Sequence, residues 1–461
     1  MRGEGADGPV VVKKPGNTGG AKRPDNPAEE TGQPMMGGAG VRGKPYNIPK
    51  QLVWRAYREV KAHHGAAGVD GQSLAAFEEN LEGNLYKIWN RMASGSYLPP
   101  PVRLVEIPKG NGDTRALGIP TVADRIAQMV VKMVLEPLVE PVFHRDSYGY
   151  RPHRSALRAV GETRKRCWQF DWVIDLDIRA FFDSLEHNLV ERAVAWHTDN
   201  PWVRLYIGRW LRAPVMRPDG TTQARSRGTP QGGVISPLLA NLFLHYGFDA
   251  WMERNYPELR FERYADDSIV HCRDHRQAQT VLKAIGERFA QCGLELHPTK
   301  TRIVYCKDDR RRGKHEWVSF DFLGYTFRPR PAKSRWGKCF IGFLPAMSGK
   351  ASKAVRTTIR QWRIAGSRSH QSLEELARLV NPSVRGWLNY YGRFYRSRCI
   401  QVLQRAFKQA LTAWARRKFK RLRGRKYASL RWLERIERRD PKLFVLWELA
   451  VQPQGWIIGA G

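Results

Sequence analysis

Hydrophobic residues recur at helical spacing in some segments of the chain and in strand-like patterns in others. Between Tyr46 and Val60, and again between Val122 and Val142, they fall at helical spacing, so that each segment has one apolar face. The same pattern predicts helices over residues 236–256 and 277–292. Strand-like segments accompany them, with the sequences DLDI (175–178), FERYADDSIVHC (261–272) and LELH (294–297). This mixture predicts an α+β fold in which helices pack under one sheet.

The two ends of the chain differ in composition from its centre. Residues 1–45 are rich in Gly, Pro and charge and contain too few apolar residues to order themselves, so a flexible tail is predicted there. After about residue 330 acidic residues become rare. Residues 391–440 hold 17 Arg and Lys against three acids, a surplus of 14, while apolar residues persist at helical spacing. A folded, strongly basic helical region is therefore predicted.

The net charge of the chain indicates what kind of partner the protein binds. The chain has 78 Lys and Arg against 44 Asp and Glu, a net charge of +34. Such an excess predicts a polyanionic partner bound with strong salt dependence, and it argues against an ordinary enzyme of a small neutral substrate. The cysteines lack CxxC spacing, which indicates reduced thiols in a cytoplasmic-type compartment. No apolar run reaches the length of a membrane span, so no membrane partner is expected.

Two acidic segments suggest a site for phosphoryl transfer. Asp266 and Asp267 lie between strand-like segments and form a predicted hairpin tip. Alone this would mean little, because Asp in a turn commonly bonds its own backbone. Upstream, however, Asp175 and Asp177 follow an apolar lead-in and share one face of a strand. Carboxylates that converge from separate strands are what two-metal phosphoryl transfer requires, and Mg²⁺ prefers such oxygen ligands.

A third segment and several shorter motifs point to a known family. GTPQGGVISPLLAN (228–241) is a loop whose glycines permit close backbone approach, followed by an apolar helix. Together with the two acidic segments it resembles the palm of a reverse transcriptase. The further motifs, in order, are GVDG (68–71), IPK (107–109), RALGIPTVADRIAQ (115–128), SYGYRP (147–152), LHPTKT (296–301), FLGYTF (322–327) and NPSVRGWLNYYGRF (381–394). The chain, from about Tyr46 to about Trp432, is similar to group II intron-encoded reverse transcriptases with a maturase region.

The resemblance implies a right-hand polymerase with an N-terminal helical extension and an α-helical thumb. The extension would cover 46–100, the fingers and palm 101–335, and the thumb or maturase (X) domain 336–435. A short tail, 436–461, would follow. It has no His or Cys cluster of the endonuclease kind, so an endonuclease-lacking member is expected.

The resemblance also implies roles for individual residues. Asp177, Asp266 and Asp267 would hold two Mg²⁺ ions, while Asp175 would be structural. Lys300 would protonate the pyrophosphate leaving group. The deoxynucleotide would be bound by Lys109, Arg115, Phe182 and Gln231, with Phe182 excluding the 2′-hydroxyl. Intron RNA would be bound by Arg385, Trp387, Tyr390, Tyr391 and Arg393, although for Trp387 and Tyr390 packing within the thumb is an equal alternative.

The implied function is RNA-directed DNA synthesis combined with binding of the parent intron RNA to assist splicing and mobility. Its partners would be group II intron RNA, target DNA, an RNA template with a DNA primer, and deoxynucleoside triphosphates, in a cytoplasm that is expected to be bacterial. Two alternatives stay open. One is a related enzyme recruited to host defence or CRISPR spacer acquisition, and the other is an RNA-binding maturase without polymerase activity.

Overall fold

The computed structural model describes residues 44–108, 114–334 and 336–451. The chain divides after Lys44 into two compact units, and the fold below is that of the second, which begins at Pro45. A flexible tail was predicted over residues 1–45, and residues 1–43 of it lie outside the described residues.

Four helices and a small sheet form the first part of this unit. Their bounds are α1 (Lys50–His63), α2 (Leu74–Glu78), α3 (Leu81–Ala93), β1 (Val102–Pro108), β2 (Thr114–Ile119) and α4 (Val122–Val139). The hydroxyl of Thr121 caps α4 by accepting the Asp124 N–H at 3.1 Å. Helical spacing from Tyr46 predicted α1, and the structure packs the apolar face of this helix against α4. Strands β1 and β2 pair antiparallel, and the loop between them lies outside the described residues.

The central part of the chain carries a second sheet. In chain order its elements are α5 (Ala156–Cys167), β3 (Trp172–Leu176), α6 (Phe181–Ser184), α7 (His187–His197), α8 (Pro201–Arg212), β4 (Val215–Met216), β5 (Thr222–Gln223), α9 (Ser236–Leu244), α10 (Ala250–Asn255), β6 (Arg260–Tyr264), β7 (Asp267–Cys272), α11 (His275–Gln291) and β8 (Arg302–Tyr305). Strands β4 and β5 extend the first sheet, in the order β2-β1-β4-β5. The second sheet has the order β6-β7-β3-β8, with every neighbouring pair antiparallel.

The second sheet is covered on both faces, because its central strands carry apolar residues on both sides. Val173 and Ile269 pack with α5 on one face, whereas Ile174 and Val270 pack with α11 on the other. The sequence predicted these strands but placed LELH (294–297) among them, and that was wrong. The strand that pairs with β3 on the side away from β7 is β8 (Arg302–Tyr305). Leu296 makes only an isolated bridge to Ile178.

The predicted helix over 236–256 is interrupted. Helix α9 ends at Leu244, and a π turn covers His245–Asp249 before α10 begins at Ala250. A π turn has i→i+5 hydrogen bonds, which change the direction of the residues that follow it. The hydrophobic pattern contains no mark of this change.

A three-stranded antiparallel sheet, whose last two strands form a long hairpin, leads into the C-terminal helices. Its strands are β9 (Phe320–Phe322), β10 (Tyr325–Lys333) and β11 (Cys339–Met347), with β10 in the centre. The helices are α12 (Gly349–Gln361), α13 (Leu373–Tyr391), α14 (Arg396–Lys418), α15 (Lys426–Arg439) and α16 (Val445–Val451). They share a separate apolar core that includes Leu376, Leu403 and Trp414. The predicted boundary at 335/336 falls at the tip of the hairpin, and Phe444 and Trp447 in the predicted C-terminal tail belong to this helical core.

Two further observations concern the molecule as a whole. All six cysteines are free, and five of them are buried. In the part of the chain that the structure describes, none of the helices combines the length and the apolar composition that crossing a membrane requires.

Candidate active site

Two neighbouring strands bring the acidic segments together. Strand β3 ends at Leu176 and β7 begins at Asp267, and the register pairs Leu176 with Ser268. One step further along this register, Asp177 lies across from Asp267. Asp266 precedes Asp267 in the turn between β6 and β7. The structure therefore gathers the three carboxylates that the sequence singled out at one end of the sheet.

The turn that carries Asp266 has an unusual backbone. Tyr264 pairs with Asp267, so that only Ala265 and Asp266 connect the two strands. Ala265 has φ +56° and is 7% exposed. A residue with a Cβ seldom adopts this left-handed conformation, and the surrounding structure must hold it there.

The carboxylates act on one another electrostatically. Partial removal of water around Asp267 raises the pKa of its carboxyl to about 7, and the charges of Asp266 and Asp177 add to the effect. Lys300 and Lys350 oppose this shift. Lys350 is the second residue of α12 and was not among the sequence-predicted site residues. No local motif marks it, because it reaches the site through the packing of a distant helix.

Asp175 has a distinct environment from Asp177. Burial raises the pKa of its carboxyl to about 8, with further contributions from the charges of Asp267 and Asp177. Arg302, its register partner on β8, opposes the shift. Asp175 thus adjoins the cluster from within the sheet, two residues before Asp177 on the same strand.

Lys300 lies directly at the cluster. Its Nζ is 2.8 Å from Asp177 Oδ2, although the contact lacks hydrogen-bond geometry and is one of charge. The segment around it is fixed to the backbone of Asp177, whose carbonyl accepts the N–H of His297 at 2.8 Å and the hydroxyl of Thr301 at 3.2 Å. The lysine side chain itself is 62% exposed, so it remains open to an approaching substrate.

The glycine-rich loop is hydrogen-bonded to α6 and to β2. At its start, the N–H of Thr229 donates to Phe182 O at 2.8 Å, and further on Gln231 O accepts the N–H of Gly118 at 2.7 Å. Gly232 has φ +120°, and a Cβ there would lie 2.5 Å from Gly118 O. Only glycine therefore permits this approach of the loop to β2.

The structure describes the side chains of two of the four predicted nucleotide contacts, and both lie at this loop. The Phe182 ring is buried, 6% exposed, and packs edge-on against Phe181 at 5.4 Å. Gln231 is half-buried. Arg115 lies on β2 three residues before Gly118, but its side chain, like the whole of Lys109, falls outside the described residues.

The predicted RNA contacts lie on α13 or just after it, and they divide into two groups. The side chains of Arg385 and Arg393 are exposed. The aromatic residues are half-buried and pack instead. Trp387 stacks on Trp362 at 5.5 Å, and Tyr390 donates its hydroxyl to Leu323 O at 2.8 Å. Tyr391 contacts Gly324, so the two tyrosines join α13 to the turn between β9 and β10, whereas Trp387 joins it to the end of α12. The binding of these aromatic residues to RNA stays a prediction.

The donor set is compatible with a hard divalent cation. Among the described residues no group of three His, Cys, Asp or Glu could by itself hold a metal ion. Mg²⁺, however, keeps several waters and is bound through one or two carboxylates together with substrate phosphates. The mutual repulsion at Asp267 also shows that positive charge would stabilise the cluster. Asp177, Asp266 and Asp267 are the residues that would hold such ions.

Comparison with known families assigns the two parts of the chain. Residues 107–327 match the family model for reverse transcriptase (RNA-dependent DNA polymerase). Residues 352–432 match the maturase-specific domain of group II introns. The first match contains every carboxylate of the cluster, and the second lies within the C-terminal helices.

Proteins of similar sequence occur in bacteria and in yeast. Protein YkfC of Escherichia coli is 39% identical, over 64% of this chain and 84% of its own length. Group II intron-encoded protein LtrA of Lactococcus lactis is 29% identical, over 56% of this chain and 43% of its own length. The putative COX1/OXI3 intron 1 protein of Saccharomyces cerevisiae is 28% identical, over 61% of this chain and 39% of its own length. The chain thus spans less than half of the latter two proteins.

Proposed function

Because the chain belongs to the family of group II intron-encoded reverse transcriptases that carry a maturase-specific domain, we propose that it copies RNA into DNA at the Asp177–Asp266–Asp267 cluster and binds its parent intron RNA. Reverse transcription and action in intron splicing and mobility follow from the family. The observation that carries it is the strand register, which places Asp177 across from Asp267 beside Asp266 and Lys300.

In the proposed reaction the 3′-hydroxyl of a DNA primer attacks the α-phosphate of a deoxynucleotide. The new bond joins primer oxygen to phosphorus, and pyrophosphate leaves. Two Mg²⁺ ions bound by the cluster would neutralise phosphate charge. Lys300 would donate a proton to the leaving group, a role supported by the proximity of its ammonium group to Asp177 and by its exposure. Catalysis then consists of positioning and charge stabilisation, without a covalent enzyme intermediate.

Substrate binding would use the groups around the glycine-rich loop. Gln231 and the adjoining backbone would lie under the incoming nucleotide, with Lys109 and Arg115 on its triphosphate. Phe182 would exclude a 2′-hydroxyl, and its dense packing against Phe181 supports a fixed steric wall rather than a movable one.

The subdomains of the proposal follow the two sheets. The β1–β2 sheet with α4 would form the fingers and the β3–β7 sheet the palm, preceded by an N-terminal extension. The helices from α12 onward would form the thumb, whose exposed Arg385 and Arg393 would contact RNA. A bacterial cytoplasm is the proposed setting, supported by the Lactococcus and Escherichia relatives.

The two activities need separate surfaces. Splicing is carried out by the RNA itself, and the protein assists by binding, so that activity would require basic residues rather than the carboxylates. Mobility would require both, since reverse splicing into target DNA is followed by cDNA synthesis from a primer. This division provides the test of the proposal.

The testing experiment compares Asp266→Asn with the unchanged protein. We expect primer extension on an RNA template with Mg²⁺ and deoxynucleotides to fall by at least a hundredfold, while intron RNA binding and splicing assistance stay within twofold. Asp199→Asn, which changes an exposed carboxylate between α7 and α8, is the matched control and should extend normally. Undiminished extension by Asp266→Asn would refute the assignment of the site.

The RNA partner is tested by sequencing the RNA that copurifies with the protein. Enrichment of one structured intron that surrounds this reading frame supports the maturase role. A mixed pool of unrelated RNA, with extension intact, would move the protein to the class of enzymes recruited to host functions. Bound intron RNA without any extension would leave a maturase that lacks polymerase activity.

A further inference from the structure

A fully buried arginine lies at the base of the turn that carries Asp266. Arg263, near the end of β6, is 0% exposed and precedes Ala265 by two residues. Its Nε and Nη2 donate to the two carboxylate oxygens of Asp249, at 2.7 and 2.5 Å. Its Nη1 donates to the backbone carbonyl of Ala265 at 3.1 Å and to Asn241 Oδ1 at 3.0 Å. These hydrogen bonds together fix the guanidinium in one orientation.

The hydrogen bond to Ala265 bears directly on the shape of the turn. Ala265 is the residue with φ +56°, and a left-handed alanine is held only when neighbouring groups determine its conformation. A charged donor to its carbonyl oxygen is one such group. Since Asp266 follows immediately, the orientation of Ala265 determines where the Asp266 carboxylate is presented.

Asn241 extends the network to the other side of the turn. Its Nδ2 donates to Gly149 O at 2.6 Å. A Cβ on Gly149 would lie 2.4 Å from Ala265 N and 3.0 Å from Tyr264 C, so this glycine backbone packs closely on the turn. The same segment is tied to β6, because Tyr148 N–H donates to Arg263 O at 2.8 Å. The turn is thus held between a buried guanidinium and a glycine backbone.

The π turn accounts for the convergence of Asn241 and Asp249. The two residues are eight positions apart, and in an uninterrupted α-helix their directions would differ by about 80°. The π turn over His245–Asp249 turns through less per residue and reduces that difference. Both side chains then reach one guanidinium, which explains the use of an otherwise rare helical form at this position.

We propose that Arg263, Asp249 and Asn241 form a positioning network that sets the geometry of the Asp266 turn for catalysis. None of the three is placed to touch substrate, and all three are buried. The inference rests on the proposed polymerase function, since it concerns the same carboxylates. It assigns to these residues an effect on metal binding and turnover, beyond their contribution to the core.

The main test replaces the buried ion pair by apolar residues, in Arg263→Met/Asp249→Leu. Removing both charges avoids leaving one buried and unpaired, so the variant is expected to fold. We expect kcat for primer extension to fall at least tenfold, with the KM for deoxynucleotide within twofold. Mn²⁺ affinity, followed by electron paramagnetic resonance without substrate, should weaken at least threefold. RNA binding should not change.

A matched control separates positioning from general loss of packing. Arg311 is also a buried arginine in the same reverse transcriptase match. It is paired with Asp308 at 2.5 Å and donates to two backbone carbonyls, those of Cys167 and Phe170. Arg311→Met/Asp308→Leu should leave kcat and Mn²⁺ affinity within twofold. Equal losses in both double variants, tracking their melting temperatures, would overturn the inference.

A second variant covers the case in which the double change fails to fold. Asn241→Ala removes only the two hydrogen bonds of Asn241, to Arg263 and to Gly149, and leaves the Arg263–Asp249 pair in place, and we expect a threefold to tenfold loss of kcat. Adding Ala265→Gly should recover at least threefold of it, because glycine adopts positive φ without a Cβ penalty and needs less support. Absence of this recovery, with both proteins folded, would contradict a positioning role. If the unchanged protein itself extends no primer, it is the proposed function that fails, and the Mn²⁺ measurement still tests the network.

Discussion

At the scale of single residues, the site is a balance between three carboxylates and two lysines. Repulsion from Asp266 and Asp177 adds to the raised pKa of Asp267, whereas Lys300 and Lys350 lower it. Lys300 additionally forms an ion pair with Asp177 at 2.8 Å. It can therefore serve as a fixed positive charge, as a proton donor, or as both, and substitution distinguishes these roles.

Lys300→Met should reduce kcat for primer extension by about 10²- to 10³-fold if the lysine donates a proton to pyrophosphate. Lys300→Arg keeps the charge but gives up a proton much less readily. If proton donation matters, arginine should recover less than a tenth of the lost rate. Single-turnover extension at saturating Mg²⁺ measures both variants. Full recovery by arginine would assign the lysine to charge neutralisation alone.

The sequence identified residues of this site where a motif is contiguous, and only there. Asp177, Asp266 and Lys300 each lie in a short motif whose order along the chain is diagnostic, and the structure brings all three to one end of a sheet. Lys350 lies fifty residues beyond Lys300, and only the packing of α12 brings it near. Arg263 could be read as part of a strand, but its burial beside Asp249 depends on the π turn, which no hydrophobic period reveals.

At the scale of elements, buried polar groups of α4 connect the parts of the first core. Asp124 is fully buried and accepts hydrogen bonds from Trp210 at 2.7 Å, Gln128 at 2.9 Å and Tyr97 at 3.0 Å. Gln128 in turn accepts the N–H of Val234 at 2.8 Å, just beyond the glycine-rich loop. Helix periodicity predicted α4 correctly, yet an amphipathic pattern cannot show that two polar residues lie inside the core.

Asp124 should make stability depend on pH in an identifiable way. Burial raises the pKa of its carboxyl to about 6, despite the three hydrogen bonds that lower it, against about 3.9 in an unfolded chain. The folded state therefore binds more protons between these values. Its contribution to stability is full below pH 4 and decreases by roughly 3 kcal/mol as the pH rises through 6.

Comparison with Asp124→Asn isolates this effect from the other carboxylates. The variant should be less stable throughout, because its amide would point a donor at the donor of Gln128. The stability difference between the two proteins should shrink as the pH rises from 4.5 to 6.5. Urea unfolding at several pH values, followed by tryptophan fluorescence, measures it. A difference that stays constant with pH would contradict the raised pKa.

At the scale of the whole molecule, charge is distributed so that chemistry and binding are separable. The net charge is +34, and residues 391–440 alone carry a surplus of 14 positive charges. Those residues include all of α14 and α15, whose apolar side chains contribute to the C-terminal core and leave the basic ones outward. The three carboxylates of the candidate active site, in contrast, lie together at one end of the second sheet. Composition predicted the basic region, but the fold was needed to show that it has its own core.

This basic region should dominate the salt dependence of RNA binding. Lys420, Arg421 and Arg423 are exposed between α14 and α15. Each cation that pairs with an RNA phosphate adds about 0.7 to 0.9 to the steepness of log K against log salt. Changing all three to glutamine should therefore make that slope shallower by up to about 2 to 3. Intron binding at moderate salt should weaken, while kcat on a short, saturating primer–template should stay within threefold.

Filter binding between 50 and 400 mM salt measures the slope for this triple variant and for a matched control. The control changes three exposed cations outside the maturase-specific match, Arg254, Arg273 and Lys283, to glutamine and removes the same net charge. Its slope should stay close to that of the unchanged protein, because these cations lie on the reverse transcriptase part of the chain. If the slopes of the two triple variants decrease equally, RNA senses only the overall charge, and the C-terminal helices do not provide a specific binding surface.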